Sequence, residues 1–321
     1  MHFFSVSKIN NINTIAKNSE NLHKYYGLHS LSIIVPKKQL IEFKNFFNNL
    51  GLKDINLIPE EKYISLSEFN NIFEKVKEDL NIQNISNSRL GWYYQQALKL
   101  SFYLENAKYK KIVQIDSDTF IIKKIDFFRK NHSIIYFNPH EKCLHYKESC
   151  EDIFKLKIPN WKTCTSQIGS MTPLEYKFFV KKLSDYLPKE NNENEPQWVS
   201  KIILKSVLKR NKTIEGALIS DQDITGTNNI LAGSKYFKNN QLLRWGLKAK
   251  LTHPQIKIAS YLGFIHVTYE DWLIKDKEKF LSNSKFFLLI LRTLLVFITK
   301  PKYTFLYPFW KKHLRKIILG K

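Results

Sequence analysis

The stretch Lys111-Ile112-Val113-Gln114-Ile115-Asp116-Ser117-Asp118 decides how this chain folds. A short, mostly apolar run bounded by polar residues reads as a buried strand. Here the strand runs straight into two carboxylates, Asp116 and Asp118. Just upstream, Arg89 to Asn106 reads as a helix. Further back, Leu31 to Val35 is a strand stopped by Pro36. Leu40, Ile41, Phe43, Phe46, Phe47 and Leu50 then recur at helical spacing, and Gly51 supplies a left-handed cap. Ile55 to Ile58 is a second strand, and Ser67 opens a helix with Phe69, Ile72, Phe73, Val76 and Leu80 on one face. Strands alternating with helices predict an α/β fold with a mostly parallel sheet covered on both faces. Ligands of such sheets sit beyond the carboxyl ends of the strands, which is where Asp116 and Asp118 fall.

Downstream the pattern loosens. Residues 138–165 hold all three cysteines and few clear periods, so they read as a loop-rich insertion. Ile168 to Met171 is a short strand. Thr172, Pro173 and Glu175 spell an N-cap, a first-turn proline and a capping box for a helix to Leu187. Residues 188–196 read as a polar loop, Trp198 to Leu208 as a helix, Ile214 to Ile219 as a strand and Leu262 to Thr268 as a late strand. The pattern divides the chain into a main α/β unit over 1–278, with halves 1–135 and 136–278, and a basic amphipathic helical tail over 279–321.

The 321 residues include 43% hydrophobic and 14% aromatic residues with only 10 Gly and 10 Pro, which excludes disordered and collagen-like classes. Lys and Arg number 51 against 29 Asp and Glu, a net charge of +22. That balance points to a polyanionic partner, nucleic acid or an anionic membrane. Three irregularly spaced cysteines fit a reducing compartment better than a disulfide scaffold. Met1 to Asn13 lacks the pattern of a secretory signal, so the sequons at Asn84 and Asn211 are expected to be unused. The apolar run Phe286 to Ile298 has 13 residues and contains Arg292, whereas a membrane-spanning helix needs about 20.

Two carboxylates one residue apart can both reach a hard divalent cation. Mg²⁺ is usually held by one or two carboxylates together with substrate phosphates, so a nucleotide diphosphate is the ligand that Asp116-Ser117-Asp118 suggests. With Gly91-Trp92-Tyr93-Tyr94-Gln95-Gln96-Ala97-Leu98-Lys99-Leu100 before it, this segment resembles bacterial GT-A-fold glycosyltransferases of surface-polysaccharide clusters. The resemblance covers roughly residues 1–270 and is specific across 89–122. It implies a GT-A-like, Rossmann-type fold, an Mn²⁺ or Mg²⁺ cofactor on Asp116 and Asp118, and a nucleotide-sugar donor near Gln95, Gln96, Lys99 and Ser117. It also implies an acidic residue against the acceptor hydroxyl, for which Asp221 and Asp223 of Ser220-Asp221-Gln222-Asp223 are the candidates; a polar turn is the plainer reading of that cluster.

Gln241-Leu242-Leu243-Arg244-Trp245 matches the QxxRW box of processive polysaccharide synthases but lacks its companion motifs. Arg244 is retained as a possible phosphate contact. A third metal ligand is expected from His266, on the late strand, with His253 as runner-up. His140, Cys143, His145, Cys150 and Cys164 do not have zinc-site spacing. After Glu278 there are ten basic residues and no acidic ones, interleaved with aromatic rings. Such a tail suits an anionic lipid surface, and the aliphatic run Phe286 to Ile298 favours lipid over nucleic acid. The expectation is therefore a metal-dependent transferase at the cytoplasmic face of a bacterial membrane. Its acceptor would be a lipid-linked or surface glycan. A nucleic-acid-binding protein and an inactive nucleotide-sugar-binding relative are the alternatives.

Overall fold

The computed structural model describes residues 1–299 except 28–29, 53, 84, 139–142, 160, 240–241, 244–246, 248 and 270–279. Gln241, Arg244, His140 and the end of the tail, 300–321, thus lie outside the described residues. The strands are β1 (His2–Val6), β2 (Ser30–Val35), β3 (Ile55–Pro59), β4 (Ile112–Ile115), β5 (Thr119–Ile121), β6 (Phe128–Arg129), β7 (His132–Ser133), β8 (Ile135–Phe137), β9 (Ile168–Met171), β10 (Phe237–Asn239), β11 (Leu242–Leu243) and β12 (His266–Thr268). The helices are α1 (Ile12–Tyr26), α2 (Leu40–Asn49), α3 (Leu66–Asp79), α4 (Leu90–Asn106), α5 (Leu144–Phe154), α6 (Pro173–Tyr186), α7 (Glu195–Asn211), α8 (Asp221–Leu231), α9 (His253–Tyr261) and α10 (Asn283–Thr299).

The main sheet has the order β3-β2-β1-β4-β9, parallel except for β9. This is the mostly parallel α/β architecture that the alternating pattern predicts. Side-chain alternation along the strands divides the core in two. Phe4, Val6, Ile34, Ile58 and Ile112 face α3, α4 and α7, whereas Phe3, Leu31, Ile33, Val113 and Ile115 face α1 and α2. A third cluster joins Phe120 and Val267 to Ala259 of α9 and to Phe286, Leu289 and Ile290 of α10. Residues 279–321 are therefore not all free tail, because the inner face of α10 belongs to the core.

Several sequence readings need correction. The central strand β1 has no simple apolar pattern, since His2 and Ser5 interrupt it; His2 is buried by bonding Ser32 Oγ at 3.0 Å and Ser30 Oγ at 2.7 Å. Ile214 to Ile219 is not a strand. Gly216 takes φ +86° there, and the segment leads into α8 instead. The 138–165 region contains α5, and α7 starts at Glu195, three residues before Trp198, because Asn194 and Gln197 form a capping box. The Thr172–Glu175 box of α6 is present as read. The late strand shortens to β12, since Phe264 closes the turn after α9 by bonding Ala259 O at 3.0 Å.

Candidate active site

The carboxyl end of β4 meets two helices. α4 carries Gln96 and Lys99 three residues apart, hence on one face, and that face is buried against β4 and the start of α8. Lys99 Nζ lies 2.7 Å from Asp116 Oδ1 and 3.6 Å from Asp221 Oδ1. Burial alone would lower the pKa of Lys99, but Asp116 and Asp221 outweigh that and raise it, so it stays an ammonium. Burial raises the Asp221 carboxyl above the usual carboxylate range, with Lys99 pulling the other way.

Two glutamines complete the cluster. Gln114 is the polar residue of β4, and its amide donates to Asp221 Oδ2 at 2.5 Å and more weakly to Asp116 Oδ1 at 3.4 Å. Gln222 donates to Asp116 Oδ2 at 3.0 Å and accepts from the Gln167 N–H at 2.9 Å. Gln96 Oε1 accepts the Asp221 N–H at 3.0 Å, fixing the first turn of α8. Neither Gln114 nor Gln222 was singled out from sequence. The available signal for Gln114 was a polar side chain inside a buried strand, which must have a partner.

Asp118 is partly exposed. Thr119 Oγ1 donates to its carboxylate at 3.3 Å, and its carbonyl accepts from Tyr269 N at 2.7 Å, which ties the loop to the end of β12. Ser117 is buried and accepts from Asn11 Nδ2 at 2.9 Å. Gln95 is half-buried next to Gln96 on α4. His266 is fully buried on β12, in register with Ile121, three residues beyond Asp118, and the exposed His253 opens α9.

Asp223 stands apart from this group. It is fully buried and accepts from Thr163 Oγ1 at 2.8 Å, Cys164 N at 2.6 Å and Thr165 Oγ1 at 2.6 Å. Those bonds tie α8 to residues 163–165. Gly226, one turn further along α8, lets that segment pack so closely that a Cβ there would meet Cys164 Sγ at 2.5 Å. Asp223 thus holds the segment leading into β9, while Asp221 belongs to the cluster at Asp116.

The donor set suits a hard divalent cation held by one or two carboxylates plus ligand phosphates. Asp118 is partly exposed, and Asp116 is oriented by Lys99 and Gln222. Among the described residues, no three His, Cys, Asp or Glu side chains are grouped to hold a metal ion by themselves.

The chain belongs to a family of unknown function, DUF6492, whose model matches residues 9–215. No curated protein matches its sequence. Similar solved structures are glycosyltransferases. The galactosyltransferase LgtC in complex with donor and acceptor sugar analogues is 9% identical, with a TM-score of 0.44 over 84% of this chain and 87% of that one. An active-site mutant of LgtC is 9% identical with a TM-score of 0.41 over 91% and 96%. The apo glycosyltransferase GlyE of Streptococcus pneumoniae TIGR4 is 11% identical with a TM-score of 0.37 over 94% of this chain and 62% of its own.

Proposed function

We propose that this chain is a metal-dependent, GT-A-like glycosyltransferase that moves a sugar from a nucleotide-sugar donor to a lipid-linked or surface-glycan acceptor. The observation that carries this reading is the cluster beyond β4, where Asp116, Asp118, Lys99, Asp221 and Gln222 meet at the carboxyl edge of a mostly parallel sheet. Asp118 and Asp116 would hold Mn²⁺ or Mg²⁺, which supplies positive charge against the departing diphosphate. Lys99 remains charged and fixes Asp116, while Gln222 holds the other oxygen of the same carboxylate. Of the two candidate aspartates, the proposal assigns receipt of the acceptor's proton to Asp221, because it is the one in the cluster with Asp116 and Lys99 and burial raises its carboxyl. Gln95, Ser117 and Arg244 remain donor-side candidates, whereas His266, fully buried on β12, is not grouped with Asp116 and Asp118 as a third ligand.

The test is ligand-induced stabilisation. A nucleoside diphosphate should raise the melting temperature with Mn²⁺ present and much less with EDTA, because a ligand stabilises only the state that binds it. Asp118→Ala should abolish the difference. Equal shifts with and without metal would remove the cation from the proposal.

The proposal extends to the cytoplasmic face of a bacterial membrane. No described helix is long and apolar enough to cross a bilayer. α10 buries Phe286, Leu289 and Ile290 yet leaves Phe287 at 62% and Leu291 at 55% exposure, beside a region with ten cations and no acid after Glu278. Apolar side chains flanked by cations suit an anionic lipid surface. Because α10 supports the core, deleting it would damage the fold, so surface substitution is the cleaner probe. Phe287→Ser with Leu291→Ser should reduce sedimentation with phosphatidylglycerol vesicles while leaving the melting temperature unchanged. Undiminished sedimentation would rule out α10 as the lipid-facing element.

A further inference from the structure

A cleft of about 460 Å³ lies at the other end of β4 from the carboxylates. Its lining includes Phe128, Arg129, Lys235, Tyr236, Phe237 and Lys238. Two contacts fix its place. Lys111, immediately before β4, donates to the Lys130 carbonyl at 3.0 Å. Glu175, which follows β9 where Met171 pairs with Ile112, accepts from Ser133 N at 2.8 Å. The β6–β7 hairpin therefore flanks the amino end of β4, whereas Asp116 follows its carboxyl end. Four residues of strand separate the two by on the order of 13 Å.

The cleft combines cations with ring faces. The Arg129 guanidinium lies over the Tyr236 ring, 5.0 Å from its centroid. Phe237 stacks on Phe137 at 5.4 Å and 18° and remains 49% exposed. The Lys111 ammonium sits 5.4 Å from the centre of the Phe128 ring. Lys238 pairs with Asp126 at 3.2 Å, but both are exposed, so the pair is screened and readily exchanged for another anion. Three lining cations face one carboxylate, so the cleft has a positive surplus.

A guanidinium steadied by a ring presents its fork ready for a carboxylate or phosphate. The exposed Phe237 ring suits an apolar C–H face beside that anion. A sugar carrying an acidic group has both. The volume is that of a small-molecule site, whereas single-stranded nucleic acid calls for a groove that follows a backbone. We propose that this cleft binds an anionic saccharide, a sugar bearing a carboxylate or phosphate, and holds an acidic glycan away from the transfer site. The choice of a saccharide rests on the transferase reading; the anion site rests on the cleft itself.

Calorimetric titration of the full chain tests this with an oligogalacturonate, a hexose phosphate, inorganic phosphate and a neutral oligosaccharide. The acidic sugars should bind, more weakly as salt is raised, and the neutral sugar should not. Whichever acidic sugar binds more tightly identifies the group as carboxylate or phosphate. Arg129→Gln should weaken binding about tenfold. Lys235→Glu should do the same without moving the melting temperature, which keeps the test readable if Arg129→Gln loosens the hairpin. Binding unaffected by either variant, equal binding of the neutral sugar, binding of inorganic phosphate alone, or tighter binding of single-stranded RNA would each overturn the proposal. Failure of the acidic sugars with intact metal-dependent nucleotide stabilisation overturns the cleft alone. The reverse result supports the cleft as an anionic-sugar site and removes the cation from the transferase reading.

Discussion

Lys99→Met should destabilise the protein by roughly 3–5 kcal/mol, the usual consequence of removing one partner from a buried ion pair. The Lys99 side chain is 6% exposed and that of Asp221 4%, so water cannot replace the ammonium. The methionine would leave Asp116 and Asp221 facing each other with only amide donors from Gln114 and Gln222. For a chain of this size the melting temperature should fall by on the order of 10 °C. The deficit should depend on pH in a definite direction. Burial already raises the Asp221 carboxyl, and loss of Lys99 removes the influence opposing that rise. A carboxyl whose folded pKa exceeds its unfolded value contributes stability below the unfolded pKa and loses it as pH rises through the folded one. The variant should therefore lie closest to wild type under acid conditions and furthest from it near neutrality. Adding Asp221→Asn should recover part of the loss, a coupling measurable by a double-mutant cycle. A Lys99→Met melting temperature equal to wild type would show that the pair does not hold the site together.

The part of this arrangement legible in the sequence is local. β4 and its acidic pair are contiguous, and the α6 capping box lies within four residues. Periodicity and spacing express such features directly. The convergence of α4, β4 and α8 is different: Gln96 and the Asp221 N–H it bonds are 125 positions apart. Their meeting depends on β9 turning antiparallel beside β4 and leaving room for α8 behind it. α8 is hidden in the sequence because Asp221-Gln222-Asp223-Ile224-Thr225-Gly226-Thr227-Asn228-Asn229 is rich in poor helix formers. Burial and hydrogen bonds override that propensity: Asn228 donates to the Glu175 carbonyl at 3.0 Å and Asn229 to the Ser170 carbonyl at 2.7 Å. β1 is hidden for the same reason. Polar residues satisfied by distant partners look like loop residues when only neighbours in sequence are visible.

Asp221→Asn and Asp223→Asn should fail in different ways, and the difference tests which aspartate does chemistry. Asparagine keeps the shape of Asp221 but removes its charge and basicity. If Asp221 receives the acceptor's proton, turnover should drop by about 10² to 10⁴. Binding of the nucleoside diphosphate should persist, since Asp116 and Asp118 are untouched, and the melting temperature should fall, because the amide oxygen can still accept from Gln114 but the NH2 group then faces the Lys99 ammonium. Asp223 lies outside the group formed by Lys99, Asp116 and Asp221. Its two oxygens take hydrogen bonds from Thr163 Oγ1, Cys164 N and Thr165 Oγ1. An amide group there turns one acceptor into a donor, so one buried bond is lost at a cost of about 1–3 kcal/mol. The measurable result is a lower melting temperature with near-normal turnover of the folded fraction. Near-wild-type turnover in Asp221→Asn would place acceptor activation elsewhere. A large turnover loss in Asp223→Asn without loss of stability would assign the base to Asp223 and reduce Asp221 to a partner of Lys99.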